Sequence, residues 1–132
     1  MIPISPPKNI LVAFHDRQFC LATAQLVKRL EYNSFIAMTS HDMLLMVNGI
    51  MPTLILLDAR MSCINEQNCI DRLKSDTKFS IIKIVLVADR IDEPSIRDIG
   101  RLADGVLYTP LKPTELYVEI NRCIEPHPRQ CP

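Results

Sequence analysis

A chain of 132 residues fits one domain and is long enough to bury a core. Hydrophobic residues make up 48 %, charged residues 23 %, and the formal net charge is zero, which argues against a generally basic nucleic-acid binder and a polybasic membrane anchor. With no Trp and few aromatics there is no stacking platform for single-stranded nucleic acid, and no apolar run approaches the length of a membrane span.

Residues 1–8 form a Pro-rich lead-in with no charged n-region, so they do not read as a secretory signal. Ile10-Leu11-Val12-Ala13-Phe14 reads as a short apolar strand broken by His15-Asp16. Asp16 is a plausible N-cap for a helix over 17–31, where Phe19, Leu21, Ala22, Leu26, Val27 and Leu30 recur at helical spacing. Residues 34–38 give a second strand. Thr39 or Ser40 then caps a helix with the body Met43-Leu44-Leu45-Met46-Val47 and its end at Gly49.

Pro52-Thr53-Leu54-Ile55-Leu56-Leu57-Asp58 is the central strand, a run of aliphatics of the kind buried on both faces, ending in a carboxylate. An irregular stretch over 59–65 is expected next, then a helix over 66–75 with Cys69, Ile70 and Leu73 inward. Residues 81–88 read as a buried strand, despite Lys83. Asp92-Glu93-Pro94-Ser95 opens a helix with acids at its positive end. Asp104-Gly105 turns into a last strand over 106–108, and Pro113-Thr114-Glu115 starts a final helix that Pro126 stops. The five cysteines (Cys20, Cys63, Cys69, Cys123, Cys131) include no C-x-x-C pair, so reduced cytoplasmic thiols are expected, three of them acting as small buried hydrophobes in helices.

Five repeats of strand then helix imply an α/β fold: a three-layer, doubly wound (βα)5 flavodoxin-like arrangement with a five-stranded parallel sheet of order 2-1-3-4-5. Its crevice lies at the carboxyl ends of strands one and three, at Phe14-His15-Asp16 and Asp58.

Ile10-Leu11-Val12, Pro52 to Asp58, Arg72-Leu73-Lys74-Ser75-Asp76, residues 84–88, and Ala103-Asp104-Gly105 through Thr109-Pro110 occur in an order and spacing that resembles the receiver domain of bacterial two-component response regulators, of the chemotaxis-receiver type. The resemblance covers about residues 9–125, with 126–132 as a tail or the start of a linker. It implies a phosphoacceptor at Asp58 and a proline following a cis bond at Pro110. The family's acidic, Mg²⁺-holding pair falls on Phe14 and His15. Its hydroxyl residue falls on Val87, its lysine on Thr109 and its aromatic switch on Val106, while Lys112 lies three residues past the lysine position. The family's Met-Pro becomes Met61-Ser62 and its turn glycine falls on Glu66.

These departures set the functional expectation. Phosphoryl transfer to a carboxylate needs charge neutralisation by a metal and a cation. No cofactor is required on this reading. Where a metal binds, the expected ion is Mg²⁺ and the ligands are Asp16, Asp58 and the backbone carbonyl of Arg60. For Asp58 the alternative role is a loop cap or a pair with a neighbour such as Arg60. His15, beside one acid and remote in sequence from His41 and His127, reads as a hydrogen-bonded structural residue, with a metal ligand, phosphoacceptor or pH-sensitive group as its sharper readings.

The expected function is a non-enzymatic, cytoplasmic signalling module, a degenerate (pseudo-) receiver acting through protein–protein contact. Its partners would be a histidine kinase or an output protein, or a second copy meeting it through the face of the fourth helix, fifth strand and fifth helix, with Arg97, Arg101, Tyr108, Leu111, Tyr117 and Arg122. Neither nucleic acid nor membrane is an expected partner. The first alternative is a working receiver phosphorylated on Asp58 with a non-standard metal site. The second is a flavodoxin-like enzyme or nucleotide binder, against which the absence of a Gly-rich loop after strand one counts.

Overall fold

The computed structural model describes residues 7–62 and 69–124. The strands are β1 (Asn9–Ala13), β2 (Asn33–Ala37), β3 (Leu54–Asp58), β4 (Lys83–Ala88) and β5 (Gly105–Tyr108). They pair in parallel in the order β2-β1-β3-β4-β5, the topology expected from the sequence. The principal helices are α1 (Arg17–Arg29), α2 (Ser40–Ile50), α3 (Cys69–Ser75), α4 (Glu93–Leu102) and α5 (Pro113–Ile124).

Successive strand residues point to opposite faces, so each strand divides its apolar side chains between two cores. Ile10, Val12, Leu54, Leu56, Val85, Val87 and Leu107 pack against α1 and α5 through Cys20, Ala24, Val27, Leu116, Ile120 and Cys123. Leu11, Ala13, Ile55, Leu57, Ile84 and Leu86 pack on the other face against Met43 and Val47 of α2, Cys69, Ile70 and Leu73 of α3, and Ile96 of α4. This double burial is why β3 and β4 are continuous aliphatic runs rather than alternating ones. The three cysteines expected inside helices are all buried.

Local chemistry explains the helix ends. Asp16 caps α1, its Oδ1 accepting the Phe19 N–H at 3.2 Å, and Thr39 caps α2 by accepting the Asp42 N–H at 3.0 Å. Several boundaries differ from expectation. Helix α2 runs past Gly49 to Ile50 and ends on Met51, which takes the left-handed conformation (φ 51°) and donates its N–H to Val47. A methionine therefore fills the place where a glycine is usual. The β4 ladder begins at Lys83, whose N–H reaches Thr53; Ile81 is exposed in a turn closed by Ile82 N–H to Phe79. A helical turn, Ala59–Ser62, directly follows Asp58 where irregular chain was expected. The start of the helix expected from residue 66, and Cys63, Glu66, His127, Cys131 and the beginning of the lead-in, lie outside the described residues. Among the described residues no helix is long and apolar enough to cross a membrane.

Candidate functional site

The order of the sheet brings β1 and β3 side by side, with Ala13 level with Leu57 and Asp58 level with Val87 of β4. The carboxyl ends of β1, β3, β4 and β5 thus surround one cleft of about 540 Å³, lined by His15, Asp16, Phe19, Asp58, Arg60, Val87, Ala88, Asp89, Asp92, Thr109 and Pro110. This is the crevice position of an open α/β sheet.

Asp58 is engaged at both carboxylate oxygens. His15 Nδ1 lies 2.5 Å from Oδ2, and the Arg60 N–H donates to Oδ1 at 3.0 Å. An ionised carboxylate only accepts, so the imidazole is the donor of this short, charge-assisted contact. His15 is 52 % exposed and Asp58 only 14 %, so the ring covers the acid on the solvent side. Phe14 has turned the other way. It is fully buried and stacks on Phe19 with ring centroids 4.7 Å apart, which makes the preceding position part of the apolar core.

The Arg60 guanidinium does not pair with Asp58. It reaches the β4–α4 connection, 3.2 Å from Asp92 Oδ2 and 3.6 Å from Asp89 Oδ2. Thr109 donates its hydroxyl to Asp89 Oδ1, and the Thr109–Pro110 peptide bond is cis. Val87 is buried and Val106 partly buried; each occupies its strand position as an apolar side chain, and Val106 packs towards the α2–α4 core. Lys112 follows Pro110 and is exposed.

The structure therefore brings together His15, Asp16, Asp58, Arg60, Val87, Thr109 and Pro110 from the sequence-predicted set, and leaves Phe14 and Val106 out of the cleft lining. Asp89 was not singled out in the sequence. The signal that would have found it is the one that found Asp58, an acid directly after an aliphatic strand.

The residues present do not fit a Mg²⁺ ion of the kind the resemblance implies. Asp16 Oδ1 is committed to its helix cap, Asp58 is covered by His15, and among the described residues no group of three or more His, Cys, Asp or Glu side chains is placed to hold a metal.

No family model matches the sequence, and no curated protein matches it. Solved structures do. The signal receiver domain of a signal transduction histidine kinase from Syntrophus aciditrophicus superposes with a TM-score of 0.79 at 17 % identity, over 93 % of this chain and 94 % of that one. The receiver domain of NtrX from Brucella abortus gives 0.78 at 18 % identity, over 89 % and 99 %. The chemotaxis response regulator CheY4 of Vibrio cholerae gives 0.78 at 13 % identity, over 89 % and 98 %. The fold is that of a receiver domain. At these identities the likeness carries the architecture alone.

Proposed function

We propose that this chain is a non-enzymatic, receiver-like signalling module that acts in the cytoplasm by protein–protein contact, without Mg²⁺-dependent phosphorylation. The observation that carries this reading is the His15–Asp58 pair. An imidazole covers the carboxylate at the phosphoacceptor position, and it comes from the residue where the resemblance puts a metal-holding acid. Phosphoryl transfer to a carboxylate must stabilise charge on the transferring oxygens. The positions that the resemblance gives to the acidic pair are filled by Phe14, which is buried, and His15, and its lysine position by Thr109, which is bonded to Asp89.

The partner surface on this reading is the α4–β5–α5 face. Arg97, Arg101 and Tyr117 are exposed on it, whereas Leu111 packs into the α1–α5 core and Arg122 is drawn to Glu119 and the Asp104 carbonyl. A histidine kinase, an output protein or a second copy of the chain are the partners such a face would serve.

The test is an amide NMR spectrum recorded with and without Mg²⁺ and beryllium fluoride, a phosphoryl mimic. The expected result is no shift around Asp58, and shifts confined to β3, β4 and the turn after Asp58 would overturn the proposal. The competing reading, a working phosphoacceptor, is favoured by the position of Asp58 at the end of β3 in an open cleft. It requires a mass increase with acetyl phosphate that Asp58→Asn abolishes.

A further inference from the structure

The two ring nitrogens of His15 have different surroundings. Nδ1 donates to Asp58 Oδ2 at 2.5 Å, so in the neutral ring the proton sits on Nδ1 and the free lone pair on Nε2. Among the described residues Nε2 has no hydrogen-bond partner, and the half-exposed side chain lines the cleft. The carboxylate is fixed in its turn. Asp58 is the last residue of β3, and the Arg60 N–H holds its Oδ1 at 3.0 Å. A backbone N–H thus holds a carboxylate, the carboxylate holds an imidazole, and the imidazole keeps one nitrogen unengaged.

Activated nucleophiles have this construction: a reacting atom, a group that sets its proton, and a further group that orients the second. His41 lacks it. It is exposed near the start of α2, and among the described residues no hydrogen bond or ion pair ties its ring.

We propose that Nε2 of His15, rather than the carboxylate of Asp58, is the nucleophile of this cleft, and that it accepts a phosphoryl group from a phosphoramidate donor without a metal. The Nε2 lone pair forms the new N–P bond, and the donor's own P–N bond breaks. Its nitrogen, already protonated, leaves as the amine with the bonding pair. Nδ1 keeps its hydrogen throughout, so the ring becomes a phosphoryl-imidazolium. Asp58 lies against the positive charge that develops and stabilises it. Asp16, Asp89 and Asp92 also line the cleft and oppose an anionic donor. Arg60 offsets them, giving Nε to Asp92 and reaching Asp89 at 3.6 Å. The inference rests on the same His15–Asp58 pair as the proposed function and gives that pair a role that needs no Mg²⁺.

The test incubates the full chain with potassium phosphoramidate in the presence of EDTA and locates the phosphoryl group by tandem mass spectrometry in the unaltered chain. The expected adduct is on His15, survives alkali and hydroxylamine, is lost in acid, and forms faster than any on His41 or His127. Phosphorus–nitrogen NMR should place it on Nε2. Asp58→Asn should slow the labelling of His15 by about tenfold or more, the scale on which a carboxylate partner tunes an imidazole, and leave its site unchanged. No adduct on His15, labelling no faster than at His41, attachment at Nδ1, or a rate untouched by Asp58→Asn would overturn the inference and leave the proposed function standing. A hydroxylamine-labile group on Asp58 would overturn both.

Discussion

Both carboxylate oxygens of Asp58 are engaged, Oδ2 by His15 and Oδ1 by the Arg60 N–H. The predicted strand order already puts His15 and Asp58, 43 residues apart, in one crevice; their direct contact was not legible in the sequence. Only the β1–β3 register, Ala13 level with Leu57, brings them together. The position of the acid was legible, since an aliphatic run ending in Asp marks a strand end at the crevice. The direction of the Arg60 guanidinium was not, because nothing local distinguishes Asp58 from Asp89 and Asp92 as its partner. Residue-scale chemistry also sets a pH dependence. Burial, opposed in smaller part by backbone hydrogen bonds at Phe14 and Ala37, pushes the Cys20 thiol above its ordinary 9.0. The folded state therefore favours the neutral thiol. Its contribution to stability is complete below the ordinary value and is lost as pH rises through the raised folded value. Urea unfolding midpoints should fall as the pH rises past the ordinary value of 9.0, and Cys20→Ala should flatten part of that fall. Equal slopes in the two proteins would contradict this.

Element boundaries follow the same division between local and tertiary causes. Strands β3 and β4 were legible because burial on both faces leaves no polar alternation to confuse them. The end of α2 was not, because Met51 accepts a left-handed conformation that sequence reasoning assigns to Gly49, and in the structure Gly49 has no heavy atom within 4 Å of where a Cβ would sit. Gly105, at the start of β5, is the opposite case. A Cβ there would overlap Glu119 Oε2 and come within 3.0 Å of Arg122 Nη2, the group that donates to the Asp104 carbonyl at 2.8 Å. The side chain of α5 is therefore packed onto a strand position that has none. Gly105→Ala should destabilise the protein by about 1 kcal/mol, and Glu119→Ala should recover much of that cost, giving a coupling of about 0.5 kcal/mol or more in a double-mutant cycle. Additive effects in thermal or urea unfolding would show that the Glu119 side chain yields to the added methyl at no cost.

At the scale of the whole molecule, one sheet serves two cores that never touch except through it. Leu56 belongs to the core shared with α1 and α5, and Leu57 to the core shared with α2, α3 and α4. Both are fully buried. Leu56→Ala and Leu57→Ala should each cost about 2–5 kcal/mol. Each should lower a single cooperative unfolding transition rather than split it, because neither layer of helices has another sheet to rest on. Helical circular dichroism and tyrosine fluorescence should therefore lose signal together in both variants. Separate midpoints would mean that one layer survives the loss of the other.

The Phe14–Phe19 stack limits what residue 14 can be. A carboxylate introduced at residue 14 would not enter the cleft. It would bury a charge among Val12, Cys20 and Leu116, at a cost of several kcal/mol, and would leave Phe19 without its ring partner. Placing an acidic pair at residues 14 and 15 would thus need coordinated changes in two elements, with an intermediate less stable than either end. Packing, more than the chemistry of the cleft, decides what residue 14 can carry.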